Sequence, residues 1–555
     1  MTGVALVQRR IGLLFGAFFL LLVLAMLRTA DLGFLRSSSL SAAANEQHLT
    51  QETVPALRGT ITDADGTYLA VSEPADDVAV TPYLIKQPLT VAQQLAPILG
   101  QSTDTVLAKI TRHSGFVYLA RELPQAQANA IADLNIPGTT LTPTTRRVYP
   151  RDDLAAQVLG LVGLDGQGLA GLEYSLNGEL RGRSGERTIV SDAIGQPISI
   201  KQGRAEVSGA NVSLTLDSAI QQRTEDVLAA VGRVYDPLDA TAIVMNPNSG
   251  SILALANWPP VNANNPNSAP ASALEDRAVE FNYEPGSTFK VVTVAGALSQ
   301  KLVTPNTNFY LPPSIQVADR TIHDAEDRGP ETLSVGQILA QSSNVGAITI
   351  GEKLGPDDFN TWVRRFGFGA PTGVDLPGEE QGIVLEPSQY SGSSMGNLPI
   401  GQGESVTPIQ IATAYAAIAN GGILRPPHIV SSIGGKAVPE PLGHRIISPL
   451  VASQIRQMLR GVLAPGGTAS EVKIPGYELA GKTGTANKVD PATGQYSTTA
   501  YVASFVGFAP ASHPKLETVV IVDQPQSDIY GGTVAAPAFG QIMGFALPYL
   551  KIPPG

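Results

Sequence analysis

The sequence predicts an α+β fold behind a single N-terminal membrane anchor, and three observations carry that expectation. The run 11–27 holds no charged residue and follows Arg9 and Arg10. Two apolar runs, 240–245 and 251–257, are joined by Asn246-Pro247-Asn248-Ser249-Gly250, a hairpin signal. Three further strand-like runs, 477–487, 500–509 and 516–523, lie near the C-terminus. Between them, from 287 to 465, the period is mainly helical, as at Ile409, Ala412, Ala416 and Ala419. Strands at both ends with helices between imply one layered sheet that the C-terminal strands complete.

As a helix, 11–27 is about 25 Å long at 1.5 Å per residue, slightly under a roughly 30 Å hydrocarbon core, a gap that snorkelling flanks close. A cleaved secretory signal is the alternative. It is disfavoured because the small residues Ala42-Ala43-Ala44 lie too far beyond Leu27. Arg9 and Arg10 assign 1–10 to the cytoplasm and the rest of the chain to the outside, although Arg28 and Arg36 reduce the asymmetry. The segment 28–55 reads as a linker, since 37–53 is rich in Ser, Ala and polar residues.

A length of 555 residues implies several domains. No cysteine is present, which excludes disulfide scaffolds, thiolate metal sites and cysteine nucleophiles. A net charge of -11 disfavours a phosphate-neutralising surface, so nucleic acid is not an expected partner. The 56 glycines and 42 prolines predict many turns. The ectodomain divides at a change of pattern near Asn211. In 56–208, strand-like 60–62 and 78–80 mix with helical 91–99 and 123–134, and the glycine-rich stretch 163–188 reads as a set of turns. In 209–550, 212–216 alternates like a strand and Asp217 is placed to cap a helix running to about Val231.

Chemistry concentrates in the second part. Ser287 and Lys290 sit in EPGSTFKVVTVAGAL, where Pro285-Gly286 ends an extended segment and a helical period begins. Residues three apart share a helix face, so the amine reaches the hydroxyl, and a serine in the first turn has a backbone N–H free for a developing oxyanion. Ser470/Lys473 and Ser512/Lys515 repeat the spacing, but neither opens an apolar helix. The helical run 333–340 leads to Ser342 and Asn344, a hydroxyl to relay a proton and a carboxamide to hold an amide. Ser175 and Asn177 repeat that spacing inside the glycine-rich stretch and read as turn residues. On the strand from 477, Lys482, Thr483, Gly484 and Thr485 suit a peptide ending in a carboxylate, the glycine marking close backbone approach.

The ordered set S-x-x-K, S-x-N, K-T-G is more specific than any member, and with it the chain resembles the class B penicillin-binding proteins, the serine D,D-transpeptidases of peptidoglycan synthesis. Arg58-Gly59-Thr60-Ile61-Thr62-Asp63 with Gly66, Tyr149-Pro150 and 168–173 (GLAGLE) resemble the pedestal motifs of that family. The stretches FGFGAPTGVDLPGE, IGQGESVTP and LAGKTGTANK are most similar to its division-specific FtsI branch, with the elongation-specific branch close behind. Ala64 stands where an Arg is usual, and Asn177 where an Asp is usual, departures that bear on pedestal salt bridges.

The resemblance implies a β-rich pedestal (56–208) followed by a penicillin-binding transpeptidase domain (209–550) with a five-stranded antiparallel sheet flanked by helices. It implies Ser287 as nucleophile and Lys290 as acylation base, with Ser342 relaying protons. Asn344 and Lys482 complete the catalytic set, and Thr483, Gly484 and Thr485 bind the substrate. The N–H groups of Ser287 and Thr485 would form the oxyanion hole. Lys290 is expected to be neutral at rest, lowered by burial and by repulsion from Lys482. No metal or cofactor is implied. Expected partners are stem peptides ending in D-Ala-D-Ala, β-lactam antibiotics, the membrane through one helix, an FtsW-type glycosyltransferase and other divisome proteins. Competing readings are an elongation-specific transpeptidase, an anchored serine β-lactamase or β-lactam sensor, and a non-catalytic cell-wall scaffold.

Overall fold

The computed structural model describes residues 3–35, 49–191 and 197–554. The N-terminal helix runs Gly3–Ala30 and continues as a π-helical turn over Asp31–Leu35, so it is longer than the expected 11–27. Val7–Phe34 is long and apolar enough to cross a membrane. Of the expected linker, 36–48 lies outside the described residues, and its end is not linker but a strand, Leu49–Val54. The alternation of that strand with Gly185–Ser191 explains the difference, since Glu52 stands opposite Arg187 and pairs with it at 2.5 Å.

The chain forms two compact units. The smaller comprises Met1–Leu57, Pro74–Thr145 and Gly182–Ser208. In it Gly185–Ser191 is the centre of a three-stranded antiparallel sheet, flanked by Leu49–Val54 and Pro197–Gln202. A separate core gathers Val78, Leu95, Val106, Leu119 and Ile131, where residues 75–80 pair with Val117–Pro124 and the helices Pro88–Leu99, Thr103–Ile110 and Gln125–Asp133 pack. The expected helices 91–99 and 123–134 are thus present with shifted ends.

The larger unit comprises Arg58–Glu73, Arg146–Arg181 and Gly209–Gly555. The units are therefore not contiguous: 58–73 and 146–181, expected with 56–208, pack with the larger body. A buried ion network ties these segments to each other. Glu173 is fully buried and accepts from Arg58 Nε and, at 2.7 Å, from Arg147 Nε. Ile61–Thr62 pairs in parallel with Val212–Leu214, and Ile61, Leu159, Leu172 and Leu180 join the main core. The 163–188 stretch is not all turn, since Gly171–Ser175 and Asn177–Leu180 are short helices. Gly168 within it serves close packing, since a Cβ there would lie 1.7 Å from the Glu173 carbonyl oxygen. Asn177 keeps the bond expected of an acid there, its Oδ1 accepting from Arg58 Nη1 at 2.7 Å. Glu173→Ala would leave two buried guanidinium groups without their anion, and we expect a loss on the order of 3–5 kcal/mol, read as a lower thermal unfolding midpoint. A wild-type midpoint would show that the network carries no stability.

The main sheet is five-stranded and antiparallel. Its strands are β1 (Asp239–Met245), β2 (Ile252–Trp258), β3 (Ala480–Val489), β4 (Tyr496–Ala509) and β5 (Leu516–Asp523), in the order β2-β1-β5-β4-β3. The β1–β2 hairpin turns at 246–250 as its sequence predicts. Helix α1 (Ser218–Tyr235) is capped by Asp217, whose carboxylate accepts from Ala219 and Ile220 N–H. It packs with the C-terminal helix Gly531–Tyr549, and both pack on the sheet. Every residue of β1 and β5 is buried, so both faces of the sheet centre are covered. Two buried carboxyls have no hydrogen-bond partner among the described residues. Burial pushes Glu404 up to about 8 against the opposing charge of Arg364, and pushes Glu517, on β5, well above its ordinary value.

Candidate active site

Ser287 lies in a 3-10 turn, Gly286–Phe289, that leads into helix α2 (Lys290–Ser299). The expected α-helical start is thus a tighter turn, and Lys290 is the first residue of the helix that follows it. Gly286 makes the approach to β3 feasible. It has φ +55°, its N–H donates to the Gly401 carbonyl at 2.9 Å, and a Cβ there would meet Ala486 Cβ at 3.1 Å. The Ser287 hydroxyl takes part in no hydrogen bond among the described residues and lines a cleft of about 1030 Å³. By contrast, α2 is buried from Lys290 through Leu298.

The helix Val335–Ala340 ends through Gln341 into Ser342, which has φ +61°, the left-handed position usually held by glycine. The Ser343 N–H closes that end onto the Ile338 carbonyl at 2.9 Å. Helix α3 (Asn344–Leu354) then starts, capped by Ser343. Leu333, expected at the start of the helical run, belongs instead to the short strand Glu331–Ser334.

These elements meet at Lys290. Its Nζ donates to the Ser342 carbonyl at 2.5 Å and to Asn344 Oδ1 at 2.7 Å, and stands 3.3 Å from Ser342 Oγ. A neutral amine has two N–H donors and one lone pair. The Ser342 carbonyl and Asn344 Oδ1 thus use both donors of a neutral amine, and the hydroxyl nearest its lone pair is that of Ser342. Lys482 Nζ donates to the same Ser342 Oγ at 2.8 Å and to the Thr483 carbonyl at 3.1 Å. Burial lowers Lys290 to about 7, against the opposing charge of Asp324. Lys482 is held well below its ordinary value by burial and then by Lys290. The expected direction for Lys290 is therefore present, with burial as its first cause, and the two amines repel each other.

β3 is an edge strand, so one side of it has no strand neighbour and alternate backbone groups are free for a peptide. Thr483 and Thr485 line the cleft with Ser287, Ser342 and Asn344. Gly484 does not line it; a Cβ there would meet Ser504 Oγ at 2.3 Å and Thr288 Cγ2 at 3.0 Å, so its smallness serves packing behind the nucleophile. Asn344 is tied inward, its Nδ2 donating to the His323 carbonyl at 2.9 Å. Ser470 and Ser512 open no helix. Two residues were not singled out by sequence. Thr468 shares a hydrogen bond of 2.7 Å with the Thr483 hydroxyl, and Asp324 accepts from Ser343 Oγ and from the N–H groups of Asn344 and Val345. Neither carries a motif or a period that marks it.

A cleft-lining serine three residues before a buried amine of lowered pKa, with an edge strand and a second lysine at the same cleft, fits an acyl-transfer site that works through a covalent serine ester. Residues 240–544 match the penicillin binding protein transpeptidase domain, and 53–214 the penicillin-binding protein dimerisation domain. The chain is 33% identical to the penicillin-binding protein PbpB of Mycolicibacterium smegmatis, over 96% of this chain and 89% of the relative. It is 32% identical to the peptidoglycan D,D-transpeptidase FtsI of Escherichia coli K12, over 98% and 92%. Among solved structures, penicillin binding protein 3 of Mycobacterium tuberculosis in complex with aztreonam superposes with a TM-score of 0.72 at 29% identity, over 91% of this chain and 98% of that one. The chain belongs to the class B penicillin-binding proteins, with their transpeptidase and dimerisation domains.

Proposed function

We propose that this protein is a serine D,D-transpeptidase that cross-links peptidoglycan stem peptides. The observation that carries the reading is the buried Lys290 amine, three residues after the cleft-lining Ser287, lowered to about 7 and held by the Ser342 carbonyl and Asn344 Oδ1. Ser287 Oγ attacks the penultimate D-Ala carbonyl as its proton passes to Lys290, and the N–H groups of Ser287 and Thr485 hold the oxyanion. The C–N bond breaks, the leaving D-Ala amine takes a proton through Ser342, and an ester on Ser287 remains. An amine from a second stem then attacks that ester, yields its proton along the same path and restores Ser287. Thr483, Thr485 and Lys482 receive the terminal carboxylate, whose charge favours the protonated form of Lys482. β-Lactams acylate the same serine.

Similarity to FtsI and PbpB supports a role in septal synthesis beside an FtsW-type glycosyltransferase and other divisome proteins. The apolar helix would anchor the chain, with 1–10 in the cytoplasm and the catalytic unit outside. A fluorescent penicillin tests the activity on one gel. Long-lived labelling is expected; fast release of the label would make the protein a hydrolase, and its complete absence a scaffold.

A further inference from the structure

Ser342 and Asn344 reach Lys290 from a turn in which Ser342 is left-handed, a strained backbone for a residue with a side chain that persists only when its surroundings hold it. One carboxylate supplies the grip. Asp324 accepts the Ser343 hydroxyl at 3.0 Å, the Val345 N–H at 3.0 Å and the adjacent Asn344 N–H, so three consecutive residues hang from it. Arg328 Nε donates to the same carboxylate, and Arg328 Nη1 lies 3.3 Å from Glu331 Oε1. The neighbouring His323 carbonyl holds Asn344 Nδ2, which turns Oδ1 toward Lys290. Burial alone would raise Asp324. Hydrogen bonds from Val345, Arg328 and Ser343, and the Arg328 charge, outweigh it and keep the carboxyl below its usual range.

We propose that Asp324, with Arg328 as its counter-ion, is a positioning residue for acylation: it fixes 342–345 so that the Ser342 carbonyl and Asn344 Oδ1 take both donors of the Lys290 amine. The inference rests on the reading of Lys290 as base. Asp324 differs from an ordinary helix cap because its charge also reaches Lys290. Around that amine the charged groups are Asp324 with Arg328 and Glu331 on one side and Lys482 on β3 on the other; the turn Gly286–Phe289 carries none.

The test is the pH dependence of second-order acylation by a fluorescent penicillin, with thermal unfolding measured on the same samples. Asp324→Asn removes the charge that favours protonated Lys290, so the rising limb moves to lower pH; the loosened turn lowers the plateau about tenfold or more. Arg328→Gln leaves Asp324 in place but unneutralised, so its limb moves to higher pH. Opposite shifts support the proposal. Unmoved limbs in folded variants overturn it, whatever the plateau, and reduce Asp324 to a cap. If Asp324→Asn does not fold, Arg328→Gln decides alone by the same criterion. A wild type without any limb between about pH 5 and 9 would instead remove Lys290 as base, and this inference with it.

Discussion

Ser287→Ala forms no covalent adduct with penicillin, and its transpeptidation falls by roughly 10⁴-fold or more, because the group that becomes the ester is gone. The fold is expected to be untouched. The Ser287 side chain caps no helix and makes no hydrogen bond among the described residues, so its removal belongs with substitutions that shift stability by about 0.5 kcal/mol or less. Mass spectrometry of the labelled protein checks both halves when combined with a thermal melt. An adduct on another serine of the mutant, Ser342 or Ser470 for instance, would sink the assignment.

The second large effect is on the pH profile. Acylation in the wild type should rise with pH to a plateau through a midpoint near about 7, where Lys290 loses its proton and becomes able to accept one from Ser287. Without burial the midpoint would lie near free lysine, about 10.4. Lys482→Met removes the amine that donates to Ser342 Oγ and receives the substrate carboxylate, and should lower the plateau roughly 100-fold. Its limb should move to higher pH, because removing a neighbouring amine that repels Lys290 makes protonated Lys290 easier to hold. An unshifted limb in Lys482→Met would show that Lys482 does not set the state of Lys290; a wild-type rate still climbing near pH 10 would reject the neutral resting amine.

The strands of the main sheet were legible because their burial and their turns are local properties. β5 coincides with the expected 516–523, and β1 and β2 differ from expectation by a residue or so. Ser287 was legible for a similar reason, since Pro285-Gly286 and the apolar run after it announce a helix start. What escaped depends on contacts between segments far apart in sequence. Arg58 meets Glu173 across 115 positions, and no periodicity announces that 58–73 and 146–181 pack with the larger unit. Asp324 reaches Asn344 from 20 positions away within an irregular stretch, TIHDAEDRG. The left-handed Ser342 escaped because glycine is the residue whose chemistry signals that conformation, and here a hydroxyl is needed in its place.

Glu404 and Glu517, enclosed without partners, give the stability of the protein a shape in pH that opposes the onset of its chemistry. Each binds a proton when folded and releases it on unfolding, so stability falls as pH rises from about 4.5, the unfolded value, toward about 8 for Glu404. Lys290 has the reverse sense: unfolding takes up a proton, and stability recovers only above about 7, toward the unfolded lysine value. The two trends overlap between about 7 and 8. There the two contributions oppose each other while the native state carries an uncharged Lys290. A substrate carboxylate bound beside Lys482 would favour its charged form and so oppose the lowering that burial imposes, which couples binding to the stability of the folded protein.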